Sequence, residues 1–134
     1  MERIIRTGRR GFTLLEMMIV LTVIAILASI SVPMYQAVVL RTRETVLKDN
    51  LRTLRSVIDQ YTADKKKAPQ TLQDLIDGGY LRQIPEDPIT NSAESWEVIT
   101  DTTVSSPDQT ESGIVDVKSG SSAVSSDGSA YNSW

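Results

Sequence analysis

The sequence predicts an α+β fold, with a long N-terminal helix joined to a small antiparallel β-sheet head. Three observations predict it. From Phe12 to Val32 the chain runs for 21 residues with Glu16 as the only charge. Leu47, Leu51, Leu54, Ile58 and Tyr61 then recur at helical spacing. Two short segments with strand character, "WEVI" and "GIVDVKS", follow near the C-terminus.

The apolar run comes first. As a helix it extends about 31 Å, roughly one hydrocarbon thickness. Arg3, Arg6, Arg9 and Arg10 precede it against Glu2. The positive-inside rule therefore keeps Met1 to Gly11 cytoplasmic and sends the rest outward. A cleaved secretory signal is an alternative, because "ALASIS" offers small residues at the far end, although such a signal has a shorter apolar core. A buried core helix has no second apolar segment to cover it.

Glu16 is the anomaly, since a carboxylate at membrane depth costs about 2.5–3.5 kcal/mol on insertion scales. Cleavage after Gly11 would supply a partner. Phe12 would become the N-terminus four residues before Glu16, and residues at that spacing share a helix face. In an assembly the ammonium of one subunit would lie against the Glu16 of the next. A paired charge in an apolar bundle is tolerable where a lone one is not. Only one stagger neutralises both groups, so the pair acts as a registry device.

Residues 34–67 read as the amphipathic helix of the head. Its apolar stripe is expected to pack a small core, or else to serve a coiled-coil partner. Arg43, Glu44, Lys48, Arg52 and Arg55 fall on the other faces, with Glu44 and Lys48 as an i,i+4 pair. Lys65, Lys66 and Lys67 suit a helix C-terminus, and Pro69 stops the helix. Such a basic cluster is ordinarily a solvated cap; contact with phosphate or anionic lipid is the alternative.

Residues 68–134 supply the rest of the head. Thr71 with Asp74 fits a capping box ahead of Leu72, Leu75 and Ile76, and Gly78-Gly79 ends that short helix. "IPEDP" is a rigid extended loop. Trp96 and Val98 on one face alternate with Glu97 and Ile99 on the other, and "GIVDVKS" is the partner strand across a polar loop. The Ser- and Gly-rich tail reads as disordered from composition alone.

Composition narrows the function. One Phe, two Trp and four Tyr leave the head few large residues, and a core of that size ordinarily needs a metal, a disulfide or assembly. The absence of cysteine excludes disulfides, and the absence of histidine removes the commonest general base and metal ligand. Four of the 14 basic residues lie in the first 11 positions, so the remainder of this −3 chain is a poor match for nucleic acid. Glu86 and Asp87 sit beside Pro88 in a turn, where carboxylates are common. No catalytic constellation is present, and the chain reads as a non-enzyme.

"GFTLLE" followed by apolar sequence resembles the class III signal of type IV pilins and type II secretion pseudopilins. The resemblance implies the type IV pilin-like fold, with residues 1–11 a cytoplasmic leader and 12–33 the transmembrane and filament-core helix. It implies that a prepilin peptidase cuts between Gly11 and Phe12 and N-methylates Phe12, with Glu16 acting in assembly. Pro33 falls where that family carries a proline that loosens the helix, consistent with its missing N–H. "TLQDLIDGGYLRQIPEDP", "GIVDVKSGS" and "DGSAYNSW" are most similar to the major, G-type pseudopilin group. That likeness argues for an ordered tail.

Members of that group often hold calcium in the final loop. Asp116, Ser119, Ser125, Asp127 and backbone carbonyls are the oxygens this tail would offer to a cation that needs six to eight. The alternative is a loop pinned by Tyr131 and Trp134. The implied function is a structural subunit of a type II secretion pseudopilus, anchored once in the bacterial inner membrane with a periplasmic head. The implied partners are other copies of itself, minor pseudopilins, the prepilin peptidase/methyltransferase and an inner-membrane assembly platform. A type IV pilin for adhesion, twitching or DNA uptake is one alternative, and a membrane-anchored binding module is another.

Overall fold

The computed structural model describes residues 10–101 and 112–134. Arg3, Arg6 and Arg9 of the expected leader, and most of the polar loop between the strands, lie outside the described residues. The element order is α1 (Leu14–Lys65), α2 (Gln73–Asp77), β1 (Glu97–Asp101), β2 (Gly113–Lys118) and a 3-10 turn at Tyr131–Ser133. By its contacts the chain divides into two units, Met1–Val38 and Val39–Trp134.

In the first unit α1 has large apolar side chains on every side and they are exposed, Leu14 at 81%. Three hydroxyls in this stretch bond back to the helix. Thr22 Oγ1 donates to the Met18 carbonyl at 2.7 Å, Ser29 Oγ to Ile26 at 2.7 Å and Ser31 Oγ to Leu27 at 2.9 Å. A hydroxyl satisfied within its own helix is compatible with hydrocarbon, where an unpaired one is costly. Pro33 lies inside α1 without ending it.

The second unit is the head. Leu47, Leu51, Leu54, Ile58 and Tyr61 are buried, as their spacing predicts, and Val57 joins them. They form one core with Leu75, Trp96, Ile114, Val117 and Tyr131. Helix α1 ends at Lys65, and Lys66 turns the chain at φ 59° before the buried Pro69. The Asp74 carboxylate accepts from the amides of Gln70 (2.8 Å) and Thr71 (3.0 Å), which is the return half of the expected capping box. Gly79, at φ +80°, then makes the left-handed exit that favours glycine.

The sheet is a single antiparallel pair with a bulge between Ile99 and Thr100. Trp96 is buried just ahead of β1, and its indole N–H donates to the Pro85 carbonyl at 2.7 Å. Val98 is exposed, contrary to the expectation that it would share an inward face with Trp96. The strand begins one residue after Trp96, so the alternation from the tryptophan does not carry into it. Asp87, read from sequence as a turn carboxylate, is fully buried. Its Oδ1 accepts from the Ile89 amide at 2.8 Å, and its Oδ2 accepts from the Ser119 hydroxyl at 2.5 Å.

Glu44 corrects a second expectation. It lies at the buried edge of the stripe and makes no ion pair with Lys48. Glu44 Oε1 accepts from the Ser126 amide at 2.7 Å and from the Tyr131 hydroxyl at 2.9 Å, while Oε2 accepts from the Ser126 hydroxyl at 2.6 Å. Lys48 turns instead to the Trp134 ring, 4.6 Å from its centroid. Arg55 is equally engaged: it donates to Asp116 Oδ1 at 2.7 Å, to the Val117 carbonyl at 3.1 Å and to the Trp134 carbonyl at 2.7 Å. The tail is therefore ordered, with Tyr131 and Trp134 packed edge to face at 5.1 Å.

Burial pushes the Glu44 carboxyl up, but the Ser126 and Tyr131 hydrogen bonds outweigh it and leave it below its usual value of 4.5. A lowered carboxyl contributes stability that is complete above the unfolded value and is lost as pH falls through the folded one. Glu44→Gln should therefore lower the melting temperature of the full chain at neutral pH, by a loss of about 1–2 kcal/mol for charge-assisted hydrogen bonds. The two melting temperatures should converge as pH falls through the folded value, below 4.5. A constant gap between wild type and variant at every pH would contradict the assignment. In the core, Leu54→Ala should cost about 2–5 kcal/mol in denaturant unfolding.

Candidate functional site

The N-terminus of α1 is set by Thr13. Its Oγ1 accepts from the Glu16 amide at 3.1 Å, and its carbonyl accepts from the Met17 amide at 3.1 Å. Thr13 is thus the N-cap and Glu16 the third helical residue, the T-x-x-E spacing of a capping box. A carboxylate in a first turn is also favoured by the helix macrodipole. Sequence reasoning explained Glu16 only through an intermolecular partner, although "TLLE" carried this local signal as well.

Gly11 and Phe12 lie before the helix and are exposed. Among the described residues, no heavy atom approaches the position of a Gly11 Cβ within 4 Å. Glu16 is exposed and has no ion-pair partner among the described residues. The arrangement is a short accessible peptide, a capped helix start and one uncompensated carboxylate on a helix otherwise apolar as far as Leu40. That helix is long and apolar enough to cross a membrane. Pro33, the other expected assembly residue, removes one amide from the helical ladder, leaving the Ser29 carbonyl without its usual donor.

The four residues expected to offer oxygens to calcium each have protein partners. Asp116, on β2, accepts from Arg55 and from the Val117 amide at 2.8 Å. Ser119 is buried against Asp87. Ser125 and Asp127 do meet, but through hydrogen bonds: Asp127 Oδ1 accepts from Ser125 Oγ, from the Ser129 amide at 2.9 Å and from Ser129 Oγ at 2.6 Å. These bonds, led by Ser125 and then Ser129, hold the Asp127 carboxyl down to about 2. Among the described residues no group of three or more carboxylates could surround an ion.

Residues 6–32 match the family model of the prokaryotic N-terminal methylation motif. The chain is 32% identical to the type II secretion system core protein G of Klebsiella pneumoniae, over 60% of this chain and 69% of that protein. It is 33% identical to core protein G of Klebsiella michiganensis, over 62% of this chain and 70% of that protein. It is 34% identical to a type IV major fimbrial protein of Dichelobacter nodosus, over 54% of this chain and 49% of that protein. No solved structure matches the chain. With a methylation motif on an apolar helix and about a third of aligned residues identical over more than two thirds of two core G proteins, this chain belongs to the type II secretion system core protein G family of type IV pilin-like proteins.

Proposed function

We propose that this chain is the repeating subunit of a type II secretion pseudopilus. Residues 1–11 act as a leader removed between Gly11 and Phe12, the new amine of Phe12 is N-methylated, and the mature chain polymerises from the inner membrane. The head lies in the periplasm, and the apolar helices bundle at the filament centre. One pair of surfaces repeated without closure generates a helix. The observation that carries this reading is Glu16: an exposed carboxylate, unpaired among the described residues, opens an apolar helix five residues after Gly11.

The roles of the two segments follow from their surfaces. In lipid the apolar unit is solvated by hydrocarbon, and in a filament by the same unit of neighbouring subunits. Glu16 tips the balance toward the filament, because only there does it meet an ammonium. Partners follow from the life cycle: the prepilin peptidase/methyltransferase first, then an inner-membrane assembly platform, other copies of this chain and minor pseudopilins. The chemistry is structural; no residue is assigned to a reaction carried out by the chain itself. The match to a type IV major fimbrial protein favours a surface pilus as the second reading.

Glu16→Ala tests the charge pair. In cells carrying the secretion machinery, the variant should insert and lose its leader as the wild type does, and its mature mass should carry the added methyl group. It should form no filaments by electron microscopy. Normal filaments from Glu16→Ala would refute the pairing. Glu16→Asp, which keeps the charge on a shorter arm, should assemble weakly.

A further inference from the structure

We propose that the final loop, residues 119–134, is held on the head by Glu44 and closed on itself by Asp127, each accepting from three protein donors, and folds without a divalent cation. A calcium site presents lone pairs to a common centre. This loop presents protons. The Ser126 amide, the Ser126 hydroxyl and the Tyr131 hydroxyl all donate to Glu44. The Ser125 hydroxyl, the Ser129 amide and the Ser129 hydroxyl all donate to Asp127 Oδ1.

The hydroxyl protons are fully allocated. Each serine has one O–H, and those of Ser125 and Ser129 both go to Asp127. Their mutual approach of 3.1 Å is therefore a consequence of the shared acceptor and not an additional bond. Ser129 Oγ also accepts from the Trp134 indole at 2.7 Å, so its direction is fixed from both sides. Both hydroxyls are thereby committed as donors to the bonds that close the loop.

Three loop carbonyls are engaged as well. The Ala123 carbonyl accepts from the Tyr131 amide at 3.0 Å, the Ser125 carbonyl from the Gly128 amide at 3.1 Å and the Ser129 carbonyl from the Ser125 amide at 2.7 Å. The positive charge that a cation would bring is already present. The Lys48 ammonium lies over the Trp134 ring, and its charge favours ionised Asp127. Glu44 adds what a metal ordinarily adds in such a loop: one centre that draws several strands of chain together. It does so from α1, 82 residues away in sequence from Ser126.

Hydrogen exchange on the full chain in detergent micelles tests this, read at the amides of Ser126, Ser129 and Tyr131. Protection of all three should be the same in calcium and in chelator, and so should the melting temperature. Faster exchange or a lower melt in chelator would overturn the proposal. Glu44→Gln should speed exchange at Ser126 in both conditions, and rescue by calcium would also overturn it. Ser126→Ala keeps the amide bond to Glu44 while removing one hydroxyl, so it supplies a milder variant should Glu44→Gln fail to fold. It should lose part of the protection at Tyr131, again regardless of calcium; unchanged exchange in both variants would refute the clasp.

Discussion

The head has one apolar surface to fold against, the stripe that α1 presents from Leu47 to Tyr61, and every other piece of it must reach that stripe. Two strands bury little by themselves, and a two-stranded ribbon is marginal in water. Here Ile114 and Val117 of β2, Trp96 ahead of β1, Leu75 of α2 and Tyr131 of the tail all converge on the stripe. The polar contacts at its margins follow from the same shortage. Glu44 and Arg55 flank the apolar residues on α1, and each gathers several donors or acceptors from chain that has too few large side chains to hold itself.

The apolar unit obeys a different rule. It is apolar all round, which is the pattern of a helix whose surroundings are apolar all round. Its serine and threonine hydroxyls are satisfied internally, so lipid and neighbouring helices are equivalent solvents for most of its surface. Glu16 breaks that equivalence. The capped first turn also gives Glu16 a local reason to be there, through the helix dipole and the Thr13 cap. A local and an intermolecular role for one carboxylate are compatible, since the macrodipole favours the charge without removing it.

Much of this fold is readable from the residues. The apolar run, the five-residue stripe, the stop at Lys65 and the strand Gly113–Lys118 all follow from periodicity and breakers, which are local signals. What is hidden depends on distant partners. Glu44 reads as a surface acid because its donors lie 82 and 87 residues away. Arg55 reads as a solvated base because Asp116 is 61 residues away. Asp87 reads as a turn residue until Ser119 closes over it. Composition misreads the tail for the same reason: serine-rich sequence looks disordered when Glu44, which takes the Ser126 amide and hydroxyl, lies 82 residues away. At the candidate site, the motif that contains Gly11, Phe12 and Glu16 is legible because it lies in spacing, and residues 6–32 match the methylation-motif family, whereas the hydrogen bonds made by Asp116, Ser119, Ser125 and Asp127 depend on the fold.

Arg55 and Glu44 have a mechanical consequence. They lie 11 residues apart on α1, about 16 Å along its axis. One grips β2 and the last residue, and the other grips the loop before it. Two anchors separated along a rod resist both sliding and rotation, where a single anchor resists neither well. A thrust along α1 would therefore reach the sheet as shear shared between two groups of short polar bonds loaded in parallel. Bonds loaded together share the force, and the apolar stripe between them is spared from slipping one turn along its contacts.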